Sequence, residues 1–233
     1  MNNLTSPILS LLSSLLTSFL AALPRSAFLF GFALLFALVE IEIEGADGWA
    51  INLPTWYRRS PAYARLFGLF MSGKPLTGYH AIMFFIPLCA FHMGVAFGQS
   101  WSLSVEARII SAYFLWNVTW DFLWFLLNPA YGWHHFRKGD IWWHSQRWIG
   151  RMPIDYFNAI VVSFLIAALP LILYRRVWLL REHAAFVAGM AALTLVCALA
   201  APLYTRWYRY MRRPGADERP TDVPKPARKM HSA

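Results

Sequence analysis

The chain has 233 residues, 58% hydrophobic and 14% charged, against roughly 45–50% and 25% for ordinary soluble domains, which leaves too little polar surface to cover a soluble globule of this size. A formal net charge of +9 would suit nucleic acid in a soluble protein. In a chain this apolar the excess belongs to membrane-flanking loops, so no nucleic-acid partner is expected.

Cys89 and Cys197 both sit inside apolar runs, which excludes a disulfide framework or a CxxC metal knuckle. The start has no basic region and no small-residue cleavage site, so no cleaved signal peptide is expected.

The first element, near 4–23, reads PILSLLSSLLTSFLAAL. Ser6, Ser10, Ser13, Ser14 and Thr17 recur at helical spacing with leucines opposite, which fits a spanning or an interfacial helix. Neutral hydroxyls are cheap to bury there because they bond back to helix carbonyls. Pro24 and Arg25 are expected to break the chain before a second helix at 27–44. Four more runs approach or reach the roughly 20 residues that cross a hydrocarbon core, at 79–101, 107–127, 156–174 and 184–208. The expected fold is therefore all-α: a polytopic membrane helical bundle, 1–208, of five transmembrane helices plus the N-terminal helix. Loops 45–78 and 128–155 join them on one side, and a basic tail, 209–233, is expected to be disordered.

Lys and Arg set the orientation. The tail, loop 128–155 (Arg137, Lys138, Arg147, Arg151) and loop 45–78 (Arg58, Arg59, Arg65, Lys74) are all basic, so they and the C-terminus are expected on the cytoplasmic side of a bacterial inner membrane. Arg175, Arg176 and Arg181 fall on the other side against that rule. The basic loops and tail suit anionic phospholipid, with membrane lipid the general partner.

Most carboxylates and histidines then project onto this one face. In LVEIEIEG, Glu40 and Glu44 share a helical face and Glu42 points elsewhere. Carboxylates brought together repel unless a cation or protons neutralise them. For Glu42 and Glu44, a solvated place beyond the headgroups or pairing with Arg58, Arg59 or Lys74 weighs as much as a place in a site. Asp121, in NVTWDFLWFLLNP, sits some two turns inside its helix, where an unpaired carboxylate costs several kcal/mol and function is the default reading. His80 opens its helix. His92, placed near mid-membrane, has no second histidine at its depth to complete haem ligation and is expected to bond a backbone carbonyl.

In NPAYGWHHFRKGDIWWHSQRW, Asp140 is expected to cap an amphipathic helix, IWWHSQRW, with Trp142, Trp143 and Trp148 in the headgroup zone and His144 one turn on.

The chain carries no HExxH, GxSxG, P-loop or aspartate-rich diphosphate motif. The first expectation is a small membrane enzyme with a site at the cytoplasmic interface. Glu40, Asp121 and His80 would be its catalytic groups, and Glu40, Glu44, His80, Asp121 and His144 a ligand set suited to Zn, Fe or Mn. Trp49, Trp56, Arg58, Arg59, Asn128 and Trp143 would receive a lipid or isoprenoid-like substrate. The alternatives are a proton- or cation-coupled transporter using Glu40 and Asp121, and a non-catalytic subunit of a membrane complex.

Overall fold

The computed structural model describes residues 5–144, 147–175 and 177–213. Five of its helices are long and apolar enough to cross a membrane, as in an integral membrane protein. The elements are α1 (Thr5–Glu44), β1 (Tyr57–Arg58), α2 (Ala62–Phe70), β2 (Leu76–Thr77), α3 (Gly78–Ala96), α4 (Leu103–Leu127), β3 (Trp148–Ile149), β4 (Met152–Pro153), α5 (Ile154–Tyr174) and α6 (Trp178–Met211). The strands form two short antiparallel ladders, β1 with β2 and β3 with β4. Each delivers the chain into the start of a spanning helix.

The two N-terminal segments run together as α1, and Pro24 does not interrupt it. Proline removes one backbone donor, a loss that apolar membrane-type helices tolerate where hydroxyls and neighbours take up freed groups. The hydroxyls bond back as expected: Thr17 donates to the Ser13 carbonyl, Ser18 to that of Ser14, and Ser26 to that of Ala22.

Helix α4 is the centre of the bundle and packs on α1, α5 and α6. Its Trp116, Trp120, Leu123 and Phe125 are buried. The Trp116 indole donates to the Leu29 carbonyl at 2.9 Å, and Phe32 and Phe36 of α1 meet Trp116 with ring centroids 5.1 and 5.3 Å away. α1 and α6 run side by side in the same direction. Ser26 fits against Gly189 at one end, where a Cβ would strike its hydroxyl, and Glu42 pairs with Arg212 at 2.9 Å at the other.

α3 lies on the flank of α4, tied by the Tyr113 hydroxyl to the Phe84 carbonyl at 2.8 Å. α3 and α5 both rest on α4 but hardly meet each other. That gap becomes the cavity described below.

Further expectations are corrected. IWWHSQRW is not an interfacial helix: Trp142–His144 make one 3-10 turn and β3 begins at Trp148, with 145 and 146 outside the described residues. Trp143 turns inward onto Phe125, rings 5.7 Å apart, and Asp140 pairs with Arg137 at 2.9 Å instead of capping. Burying an indole on an aromatic core outweighs a place among headgroups. His92, expected near the middle of its span, lies one turn before α3 ends at Ala96. Its Nδ1 does bond the Leu88 carbonyl at 2.7 Å, and Nε2 faces Glu106 of α4 at 3.2 Å. The tail expected from 209 begins later, because α6 runs on to Met211, and its residues from 214 lie outside the described residues.

Candidate metal centre

At the end of the bundle where α1 and α4 finish and α3 and α5 begin, the polar side chains sort into two adjoining groups. The first is Glu40, Glu44 and His80. One oxygen from each glutamate and one imidazole nitrogen lie within 4.8 Å of one another, and this is the one such trio among the described residues. Helical spacing supplies the glutamates, one turn apart on α1, while Glu42 faces Arg212 on the opposite side.

His80 arrives through the cap of α3. Thr77 Oγ1 accepts the His80 backbone N–H at 3.0 Å and lies 2.8 Å from His80 Nδ1. With Nδ1–H donating to that hydroxyl, Nε2 presents its lone pair to Glu44 Oε1 at 3.5 Å and Glu40 Oε1 at 3.9 Å. A lone pair facing two carboxylate oxygens is repulsive unless something positive sits between them. Ligand atoms around a tetrahedral ion with bonds of about 2.0 Å stand about 3.3 Å apart. The two Nε2 distances, 3.5 and 3.9 Å, are near that spacing and no pair in the trio exceeds 4.8 Å, so a closure of about 1.5 Å or less would make it a ligand set with a fourth position open, and Thr77 occupies the place of the outer partner that metal-bound histidines usually keep.

The loop after α1 closes over this trio. Gly48, Trp49 and Ala50 all adopt positive φ (63°, 44° and 54°), which is costly for the last two. The turn lays the Trp49 ring on His80, centroids 3.9 Å apart, aims its indole at the Pro75 carbonyl at 3.0 Å, and delivers the Ala50 N–H to Glu44 Oε1 at 2.5 Å. Tyr57 holds the turn by donating to the Ala50 carbonyl. Burial, and then the Glu44 charge, push its phenol above the usual range, so it remains a donor.

The second group is Lys74, Asp121, His144, Asp155 and Tyr156. Lys74 Nζ is 2.7 Å from Asp155 Oδ2 and 3.3 Å from His144 Nε2, and it lies over the Trp49 ring at 4.6 Å. His144, fully buried, has Nε2 3.3 Å from Asp121 Oδ2 and Nδ1 3.3 Å from Asp155 Oδ1. The Tyr156 hydroxyl donates to Asp121 Oδ2. Asp121 and His144, grouped with the glutamates on sequence grounds, thus face this lysine-centred network.

Glu40, His80, Lys74, Asp121, Asp155 and Tyr156 all reach one cavity of about 700 Å³, whose remaining wall is almost wholly apolar. It runs between α3 and α5 along α4, with Tyr63, Leu66, Phe67 and Phe70 of α2 across it. Its size falls within the range of small-molecule sites, roughly 300–1,000 Å³.

Trp49 also lines the cavity. Trp56, Arg58, Arg59, Asn128 and Trp143 do not: Arg58 stacks on Trp56 outside it, both arginines are exposed, and Asn128 Nδ2 holds the Gly45 carbonyl at 2.8 Å as a structural tie. Sequence reasoning missed Thr77, Asp155 and Tyr156 as site residues and offered Lys74 as a partner for Glu42 or Glu44. A Thr three residues before a helical His, and an acid in the first turn of an apolar helix, were the available signals.

Comparison with known proteins finds no matching family model, no matching curated protein and no matching solved structure.

Proposed function

We propose that this chain is a small membrane-embedded enzyme that holds a divalent metal on Glu40, Glu44 and His80 at the cytoplasmic interface of a bacterial inner membrane and acts on a lipid or isoprenoid-like substrate. The observation that carries the reading is the meeting of the trio with an apolar cavity: Glu40 and His80 stand in the wall of a space otherwise suited to a hydrocarbon chain. Mixed oxygen and imidazole ligands favour Zn, Fe or Mn.

A divalent ion there would polarise a substrate oxygen as a Lewis acid. The chain's own residues do the rest. Trp49 and Thr77 orient His80. Asp121, bridged to His144 and Tyr156, offers a carboxylate at the cavity wall with a route for a proton through the imidazole. α2 lends apolar side chains to the cavity wall. The exposed Arg58 and Arg59 suit anionic headgroups outside the cavity. Placement on the cytoplasmic side follows from the basic loops that close this end.

The test is a comparison of lipids. Membranes carrying the wild type, Glu40→Gln or His80→Ala are incubated with a total lipid extract, with and without chelator, and the lipids are profiled. A species converted by the wild type alone, and not under chelator, supports the enzyme. Identical profiles from folded wild type and variants would refute it, and cation uptake into proteoliposomes dependent on Asp121 would put a transporter in its place.

A further inference from the structure

On the reading above that the cavity holds a lipid, the head group is selected by the charge that it can touch. The side chains of Lys74, His80, Asp155 and Glu40 are each 6% exposed or less, so a guest barely reaches them. Asp121 differs: 31% of its side chain is exposed, and it stands in the cavity wall. Its polar contacts fall on one oxygen. The Tyr156 hydroxyl donates to Oδ2, and His144 Nε2 lies 3.3 Å from the same atom. Oδ1 has no hydrogen-bond partner among the described residues, and it is not one of the atoms sealed inside the protein. The trio's ion is balanced by Glu40 and Glu44, and Lys74 is held by Asp155 at 2.7 Å. The charge a guest meets is therefore that of Asp121, a carboxylate inside an apolar helix, which calls for a cation.

Asn158 adds a second acceptor. It lies one turn along α5 from Asp155, half-buried in the same wall, and its side chain makes no hydrogen bond among the described residues. A primary ammonium, charged near neutral pH as a lysine is, brings three N–H donors, enough for Asp121 Oδ1 and Asn158 Oδ1 together. A phosphate or carboxylate head would meet Asp121 as a like charge. Lys74 is already taken, and among the described residues no other Lys or Arg stands in the lining. A hydroxyl head would leave the Asp121 charge unanswered. Beyond these groups the wall is apolar, with Phe114, Val118, Val162 and Ile166. From Asn158 to Ile166 the helix advances about 12 Å at roughly 1.5 Å per residue, room for the greater part of a dodecyl chain.

We infer that the cavity binds a single-chain lipid with a primary ammonium head, a long-chain amine, with its N–H groups donating to Asp121 Oδ1 and Asn158 Oδ1 and its chain along Val162 and Ile166. Phosphorylated and carboxylate-headed chains are excluded by charge, and a quaternary ammonium lacks the donors.

The test uses the purified full chain in nanodiscs, titrated with dodecylamine, dodecyltrimethylammonium, 1-dodecanol or dodecyl phosphate, with thermal unfolding as readout. Each shift is compared between the wild type and Asp121→Asn, which keeps the shape and removes the charge, so that uptake by the bilayer acts on both alike. At saturation dodecylamine should raise the Tm of the wild type by about 3 °C or more beyond its effect on the variant. The other three probes should show less than half that difference. Should Asp121→Asn fail to fold, Asn158→Leu, which keeps the volume and removes the acceptor, should at least halve the dodecylamine shift. An equal dodecylamine shift in the wild type and the folded variant, or a difference as large with any of the other three probes, would overturn the inference. Metal content measured on the same samples separates the two readings. Metal-free protein that prefers the amine would sink the metal site alone, and metal-loaded protein that prefers the alcohol or the phosphate would sink this inference alone.

Discussion

Replacing Lys74 with methionine probes whether its ammonium is captive in the fold or free for a ligand. Lys74 and Asp155 are 1% and 4% exposed and 2.7 Å apart. Unit charges roughly 3 Å apart attract by about 5–6 kcal/mol at an effective dielectric near 20. Desolvation of both ions offsets much of that in the intact pair, but removing one partner strands the other, which typically costs about 3–5 kcal/mol. Asp155 and Asp121 would then face His144 with no fixed cation beside them. For a chain of this size about 1 kcal/mol shifts Tm by roughly 2–4 °C, so Lys74→Met should lower Tm by about 6–20 °C. The double variant Lys74→Met/Asp155→Leu should recover at least half of the loss, since the stranded charge is gone. Thermal unfolding of purified protein, followed by tryptophan fluorescence, reads both numbers. A loss below about 2 °C in the single variant, or no recovery in the double, would refute the captive pair and return Lys74 to the pool of ligand-binding cations.

Other perturbations separate the parts of the site. Thr77→Val removes the oxygen beside His80 Nδ1 and the cap of α3; metal affinity, read by competition with a chelator, should fall about 10–100-fold, with a stability loss of roughly 1 kcal/mol. Glu42→Gln is the control: its exposed pair with Arg212 should be worth less than about 1 kcal/mol, and metal content should be unchanged. Gly48→Ala places a methyl against the Trp143 ring at a positive φ and should destabilise by about 2–4 kcal/mol in denaturant titration; a neutral result would mean that the turn over His80 relaxes freely.

The helical bundle was legible because its determinants are local: apolar runs of spanning length leave few alternatives. The division of labour among the three glutamates was legible for the same reason, since one turn separates Glu40 from Glu44 and places Glu42 across the helix. Asp121 stood out as a carboxylate inside an apolar run. The partners of these residues were not legible. Lys74, Thr77 and His144 come from the connecting segments between helices, whose paths depend on the left-handed turn at Gly48–Ala50, on the Trp49–Pro75 bond and on the packing of Trp143, none of which has a periodic signature. The same blindness produced the interfacial helix at 141–148, where the spacing of tryptophans mimicked amphipathicity while tertiary packing drew Trp143 and His144 inside. Pro24 was over-weighted as a breaker: in an apolar helix the cost of leaving helical geometry exceeds that of one missing bond.

The most direct test of the metal centre is elemental analysis of the purified wild type beside Glu40→Gln, His80→Ala and Glu42→Gln. A metal held by the trio predicts about one equivalent of Zn, Fe or Mn in the wild type and in Glu42→Gln, and loss of that metal in the other two while they remain folded. A folded wild type that carries no transition metal after purification in metal-supplemented medium, or equal metal in all four proteins, would contradict it.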